Sequence, residues 1–245
     1  MKDGGNRLKT LLLTLNESDL LSSNGIENLF SRLLFIRDSG IKTLIVHVDI
    51  LSTAETADKD RLIHFLSEKV RSAFQVHDDG SMKCFILNGE NGGMNHFIHN
   101  GEKSGTNCCI HNGEEGGTNC FILNGEDGDI DSNPPFAGVF SVLFSLGLGG
   151  RAELKNILSA FIADCRAEKS QPADMTPDYI SSHLILPFTP DLIVSSSKNK
   201  LSDFMIWQTV YSEYYFMDKE VPRWTDSDFK KAFNAFHNRE RRYGV

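Results

Sequence analysis

Several stretches of this chain hold side chains suited to anions or metals. Ser195-Ser196-Ser197-Lys198-Asn199-Lys200 lies between a short apolar run, Leu192 to Val194, and Ser202, where a helix N-cap is expected. Asp203 then falls in the first turn, where an acidic residue suits the helix dipole. A strand that runs through a Ser/Lys loop into a helix N-terminus is a geometry suited to phosphate, because hydroxyls, ammonium groups and free backbone N–H groups converge there. Lys200 and Ser202 are the candidate phosphate ligands of that loop. The chain ends Arg239-Glu240-Arg241-Arg242-Tyr243-Gly244-Val245, and a solvated basic helix end accounts for these arginines by itself. His96, His99, Cys108, Cys109, His111 and Cys120 invite a zinc reading, but they lack Cys-x-x-Cys spacing. Reduced, drifting repeat residues are the preferred reading, with no metal assigned.

The elements that must position these groups alternate in type. Leu8 to Leu15, Leu44 to Val48 and Lys83 to Leu87 read as short buried strands. Helices are expected between them, over about Ile26 to Asp38 with Ser22 or Ser23 as cap, and over Asp58 to Phe74. Gly40 sits where a C′ glycine ends the first of these. Asn16 to Asp19 reads as a polar turn. Val139 to Leu146 is a further strand, followed by a glycine turn and a helix from Ala152 to about Glu168 whose buried stripe includes Cys165. Thr176-Pro177 starts a helix, His183 to Leu186 is irregular, and Thr225 to Asp228 caps a last helix faced by Phe229, Phe233 and Phe236. Within Pro190–Phe216, Phe204, Trp207, Tyr211 and Tyr214 or Tyr215 fall on one stripe of an expected helix, which suits either a core or a subunit interface. Short connections between alternating strands and helices argue for a mostly parallel sheet covered on both faces.

A repeat interrupts that pattern. Asn-Gly-Glu recurs every twelve residues in units that start at 84, 96, 108 and 120. The units open with a short, mostly apolar triplet, so stacked hairpins or rungs are one reading. A weakly ordered surface excursion over residues 84–131 is the favoured one, given so much Gly, Asn and Glu. The segment carries eight acidic residues against one lysine, so nearly all of the net charge of −8 belongs to it and not to the fold. Nothing in the balance favours nucleic acid. No apolar run is long enough to span a membrane and the N-terminus lacks a signal-peptide layout, so a cytoplasmic protein is expected, with a membrane-surface location left open. Residues 1–245 read as a single domain with the repeat inserted.

The stretch Pro190–Phe216 resembles the C-terminal signature of the cis-prenyltransferases, the undecaprenyl and dehydrodolichyl diphosphate synthase family. That signature runs roughly Asp-Leu-x-Ile-Arg-Thr-x-Gly-Glu-x-Arg-x-Ser-Asn-Phe-Leu-Leu-Trp-Gln, with an Arg-x-Gly near the end. Asp191, Leu192, Ser202, Phe204, Trp207, Gln208, Tyr211, Glu213 and Phe216 match it, and Arg242-Tyr243-Gly244 stands in the Arg-x-Gly position. Gly149 to Glu153 and Gly40 to Thr43 extend the likeness upstream. The resemblance implies an α/β domain with a mostly parallel six-stranded sheet and helices on both faces.

The departures fall where the family's chemistry is done. Joining two diphosphates requires cations, a carboxylate that holds Mg²⁺, and an apolar tunnel. The first strand here ends Leu15-Asn16-Glu17-Ser18 in place of the family's Asp-Gly-Asn-x-Arg-Trp loop; Asp3-Gly4-Gly5-Asn6-Arg7 mimics that loop without a strand before it. Asp49 to Thr53 lacks the family's Ser-x-x-Asn, and Ser195 to Asn199 replaces its Arg-Thr-x-Gly-Glu, with Lys200 standing in for a second Arg. The pattern is similar to the non-catalytic, Nogo-B-receptor-type subunit of heteromeric enzymes. By that resemblance, no catalytic residue and no metal are expected in this chain, and Mg²⁺ would sit in a partner's site. Arg242 and Gly244 would reach the partner's diphosphate, and Phe204, Trp207, Tyr211, Glu213 and Tyr215 would form the subunit interface of a heterodimer or heterotetramer. The product would be a polyprenyl diphosphate, precursor of a glycosyl-carrier lipid such as a dolichol. The alternatives are an active homodimer with a divergent site, or a prenyl diphosphate-binding protein.

Overall fold

The computed structural model describes residues 7–50, 56–77, 82–88, 95–99, 108–110, 121–123, 140–186, 188–196 and 201–239. Its strands are β1 (Thr10–Asn16), β2 (Thr43–Asp49), β3 (Met82–Asn88), β7 (Phe140–Leu146), β8 (Leu192–Ser195) and β9 (Glu213–Phe216), with β4 (Asn95–His99), β5 (Cys108–Ile110) and β6 (Phe121–Leu123) inside the repeat. The helices are α1 (Glu17–Leu21), α2 (Gly25–Asp38), α3 (Thr56–His77), α4 (Gly150–Arg166), α5 (Pro177–Ser182) and α6 (Asp226–His237). The sheet order is β4-β3-β7-β2-β1-β8-β9. The six strands from β3 to β9 run parallel, and β4 pairs antiparallel with β3 at the edge. The parallel six-stranded sheet expected from the sequence is therefore present, with one strand added by the repeat.

The central strands are buried on both faces, which is why they read as continuous apolar runs. Leu11, Leu13, Val46, Val48, Val142 and Phe144 face one side, where Leu29, Phe30 and Leu33 of α2, Leu66 and Phe74 of α3, and Phe229 and Phe236 of α6 cover them. Phe30 stacks on Phe144 with centroids 5.6 Å apart and fills the space between α2 and the sheet. Leu12, Ile45, Leu143 and Ile193 face the other side, covered by Leu186, Phe204 and Met205. Among the described residues, no helix is long and apolar enough to cross a membrane.

Local signals explain most element ends. Gly40 adopts φ +90° and closes α2, with its N–H bonded to Arg37 O. Thr176 caps α5 by accepting from Tyr179 N, and Thr225 with Asp228 forms a capping box on α6. Asn24, not Ser22 or Ser23, occupies the N-cap of α2, and Ser22 ends α1 instead. The expected polar turn is that short helix, closed by Asn16 N donating to Asp19 Oδ2 at 2.9 Å. Cys165 is half-buried and Leu158 exposed, because α4 rests on its neighbours through Ile157 and Phe161 alone among its buried large residues.

The main correction concerns residues 203–216. No α-helix forms there: 204–211 is a chain of turns, and Glu213–Phe216 is the edge strand β9, in register with Leu192 to Ser195 of β8. Met205 takes φ +54°, which breaks helical continuity at once. Phe204 turns into the sheet, and the aromatic Tyr214-Tyr215-Phe216 run has the composition of a strand. The aromatics thus divide between core, surface and strand, and share no helical stripe. In the repeat, β3, β4, β5 and β6 fall on the apolar triplets of successive units, β3 with β4 and β5 with β6 as antiparallel pairs. The repeat's first unit is β3 itself, and the side chains of the zinc reading, those of His96, His99, Cys108, Cys109, His111 and Cys120, lie outside the described ones.

Candidate functional site

The carboxyl ends of the parallel strands are where open α/β sheets hold ligands. Strand register brings a buried polar row to that edge. Ser195, Thr14, His47 and Ser145 are neighbours across β8, β1, β2 and β7, all on the face covered by Phe204. His47 is fully buried, with Nδ1 3.2 Å from Ser145 Oγ and Nε2 2.9 Å from Asp49 Oδ1. Asp49 Oδ1 also accepts from Ser202 Oγ at 2.9 Å. Because the carboxylate only accepts, His47 presents Nε2–H to it and Nδ1 takes the Ser145 hydroxyl. Phe204 lies flat on the imidazole, with centroids 4.0 Å apart and planes 4° apart. The sequence reading missed this row; a polar residue within the last three positions of each strand was the signal available.

Residues 201–212 form a strap over this edge. Ser202 holds Asp49, Gln208 Nε2 donates to Leu186 O at 3.1 Å, Trp207 Nε1 donates to Ser181 Oγ at 3.1 Å, and Ser212 Oγ donates to Pro190 O at 2.6 Å. The strap crosses the start of α4 closely enough that a Cβ on Gly150 would lie 2.1 Å from Asp203 O. Beside it is a pocket of about 10 Å³ lined by Leu148, Gly149, Glu153, Ile185, Leu186, Phe204, Met205 and Gln208. That is room for about one water. Burial pushes the Glu153 carboxyl above its ordinary range, partly offset by hydrogen bonds from Ile185 N, at 2.6 Å, and from the Gln208 side chain.

Among the described residues, the edge is acidic, and its carboxylates are engaged by neighbouring groups. Asp19 Oδ2 accepts from Asn16 N and from Ser196 Oγ at 2.5 Å, so the loop after β1 spends its carboxylate on its own cap and on β8's loop. Glu17, Asp19, Asp49 and Asp203 stand at the loops after β1, β2 and β8. Among the described residues of the loops after β1, β2, β7 and β8, Arg151 is the one basic side chain, and it lies 4.0 Å from Asp203 Oδ2. No group of three or more His, Cys, Asp or Glu among the described residues converges to hold a metal. Among the described carboxylates of the edge, Asp19 Oδ2 and Asp49 Oδ1 each already accept two hydrogen bonds, and Asp203 faces Arg151.

The sequence candidates separate accordingly. Lys200, Arg242 and Gly244 lie outside the described residues. Ser202 is at the edge, but its hydroxyl is committed to Asp49. Phe204 is buried, Trp207 is 36% and Tyr211 60% exposed. Ile206 and Val210 join them as exposed apolar groups on the strap. Glu213 pairs with Arg239 of the same chain at 2.7 Å, and Tyr215 packs against the core from β9.

Known proteins resemble this chain in the sequence of one stretch and in the fold as a whole. Residues 137–244 fit the family model described as putative undecaprenyl diphosphate synthase. The isoprenyl transferase of Deinococcus radiodurans is 36% identical over 107 residues, 41% of this chain and 39% of that protein. That of Shouchella clausii is 38% identical over 104 residues, 41% of this chain and 40% of that protein. The matched stretch thus spans about two fifths of the length of these relatives. A crystal structure of lavandulyl diphosphate synthase from Lavandula x intermedia, in complex with dimethylallyl diphosphate, superposes with a TM-score of 0.63 at 16% identity over 96% of this chain and 98% of that one. A probable undecaprenyl diphosphate synthase from Campylobacter jejuni gives 0.60 at 17% identity over 98% and 99%. The fold is shared with them over nearly the whole chain, and in sequence residues 137–244 match the putative undecaprenyl diphosphate synthase family model.

Proposed function

We propose that this chain is the non-catalytic subunit of a heteromeric cis-prenyltransferase that makes a long-chain polyprenyl diphosphate. The observation that carries the reading is the acidic, self-bonded character of the described residues at the sheet edge. Two diphosphates brought there would meet Asp19, Asp49 and Asp203, with Arg151 as the nearby described cation and the Ser196 and Ser202 hydroxyls already donating to carboxylates. Like charges oppose such binding, whereas phosphoryl chemistry requires cations at the developing charge. The family match also begins at residue 137, after the ends of β1 and β2 where the family's metal and phosphate loops would lie. The exposed Trp207 and Tyr211 support an interface role for the strap, with Ile206 and Val210 beside them.

A second reading, an active homodimer with a divergent site, is favoured by the name isoprenyl transferase carried by the relatives. One assay separates them. The purified chain, given farnesyl or geranylgeranyl diphosphate, radiolabelled isopentenyl diphosphate and Mg²⁺, is expected to give no product above blank. Clear turnover by the chain alone would reject the non-catalytic reading and establish the homodimer.

A further inference from the structure

The repeat holds a regularity that the rest of the fold does not use. Its units start at 84, 96, 108 and 120, and their first residues are Cys84, His96, Cys108 and Cys120. Each is a thiol or an imidazole. The second position is Phe except at Cys109, and the third is Ile throughout. The fourth is Leu in Leu87 and Leu123 and His in His99 and His111. Drift without selection does not keep a metal-ligating residue type at one place in all four units.

Strand register turns this period into neighbours. In the β3–β4 pair Cys84 stands opposite His99, and in the β5–β6 pair Cys108 stands opposite Leu123. The second register is the first moved along by two whole units, from 84 to 108 and from 99 to 123. The first position of one unit therefore meets the fourth position of the next. β5 and β6 make a sheet of their own, yet β5 comes within 8 Å of β4 between Cα atoms. The same register moved by one unit sets His99 of β4 against Cys108 of β5. Cys84, His99 and Cys108 then form one cross-strand row on one face, and neighbouring Cβ atoms in such a row stand about 4.5–5.5 Å apart. Backbone register alone places His99 and Cys108 in it, their side chains lying outside the described ones.

We propose that Cys84, His99 and Cys108 hold a divalent ion of the zinc type, which staples the β5–β6 hairpin to the edge of the main sheet. Two thiolates and an imidazole are the soft donor set that selects such an ion, with a fourth position left for water. The two thiol protons leave to solvent as the metal–sulfur bonds form. The staple supplies what the ladder lacks, since no strand pairing joins β4 to β5 among the described residues. Cys84 is buried on a strand held between β7 and β4, so the first ligand has a fixed place. Eight acidic residues against one lysine over 84–131 draw cations to this part of the chain. The site is independent of any role in prenyl transfer.

The test uses the full chain, kept reduced, with Co²⁺ as the spectroscopic probe and Zn²⁺ as its competitor. Thiolate ligation of Co²⁺ gives an intense charge-transfer band in the near ultraviolet, which Zn²⁺ bleaches. The repeat supplies its own mild substitutions. His99→Leu installs the residue found at that position in the first and last units, and Cys109→Phe the residue found there in the other three. The wild type and Cys109→Phe should show the band, whereas His99→Leu and Cys108→Ser should bind at least ~10-fold more weakly. Free Zn²⁺ at a hundredfold excess over its Kd should raise the wild-type Tm by roughly 5–10 °C and leave that of His99→Leu unmoved. No band in the wild type overturns the site. So does a band that survives His99→Leu, or one that is lost with Cys109→Phe. If neither ligand variant folds, X-ray absorption at the zinc edge of the wild type decides, and fewer than two sulfur ligands per zinc overturns the proposal equally.

Discussion

At the scale of single residues, the sheet edge spends its polar groups on one another. Asp49 is the hub, since it takes the Nε2–H of a fully buried His47 and the hydroxyl of Ser202. Asp49→Ala strands a buried N–H beneath Phe204, and an unsatisfied buried donor costs about 1–3 kcal/mol. Ser202→Ala removes one bond of the hub and leaves His47 paired, so about 1 kcal/mol is expected. Urea unfolding of both variants checks the order, and a larger loss for Ser202→Ala would contradict the hub assignment. Little of this was legible in the sequence. Ser202 was singled out for phosphate, yet its proton goes to a carboxylate from another strand 153 residues away in sequence. His47 and Ser145 looked like single polar residues in apolar strands, because their adjacency exists only once β2 and β7 are in register.

At the scale of elements, local rules worked where one element decided its own ends. They failed where two competed. The caps Thr176 and Thr225, the C′ glycine Gly40 and the core strands were readable because each depends on a few adjacent residues. The strap was misread because its aromatic spacing fits a helix, while β8 offers Glu213 to Phe216 a parallel edge and Met205 sits in the left-handed region. The closeness of strap and α4 makes a sharp test. Gly150→Ala places a methyl 2.1 Å from the Asp203 carbonyl oxygen, backbone that cannot step aside cheaply. A loss of about 1–3 kcal/mol or more is expected. Gly149→Ala meets Asp203 Oδ2 at an ordinary 3.6 Å and should be near neutral by the same denaturant measurement. The cap of α6 gives a pH prediction. Burial pushes the Asp228 carboxyl up, but bonds from Thr225 Oγ1, Lys219 Nζ and Thr225 N, with the Lys219 charge, outweigh it and hold the carboxyl below its usual range. A lowered folded value means stability that is present above the unfolded aspartate range and lost as pH falls through the folded one. Asp228→Asn should therefore destabilise near neutral pH by about 0.5–2 kcal/mol, with the difference shrinking in acid. A pH-independent difference in Tm would show that the capping charge is irrelevant.

At the scale of the whole molecule, the repeat and the tail are the parts that the shared fold does not explain. The repeat reaches the sheet through β3, its first unit, and β4, so deleting residues 96–119 removes most of an edge strand. It removes two whole units, however, and brings Cys120-Phe121-Ile122-Leu123 to the place of His96-Phe97-Ile98-His99. An apolar triplet in the same frame can take the same edge, so Tm should stay within about 4 °C, the shift that ~1 kcal/mol gives in a domain of this size. Loss of folding would make the individual units, not their period, structural. The tail carries the functional claim. If the chain completes a partner's site, Arg242-Tyr243-Gly244 acts on another polypeptide. Gly244 lets its backbone N–H approach a diphosphate oxygen with no side chain in the way, and Arg242 adds a charge-assisted hydrogen bond of about 1.5–3 kcal/mol. At tenfold per 1.4 kcal/mol, its loss should slow the reconstituted synthase roughly 10- to 150-fold. If Arg242 only neutralises the end of the helix before it, Arg242→Ala costs a few tenths of a kcal/mol of stability and leaves the rate unchanged. The strap lies apart from this in sequence, with Trp207 and Tyr211 exposed for contact, so the complex should still form. Co-purifying Arg242→Ala, and separately a chain ending at Arg241, with the catalytic subunit therefore separates assembly from turnover. Intact assembly with collapsed activity is expected, and a fully active truncated complex would end the cross-subunit role.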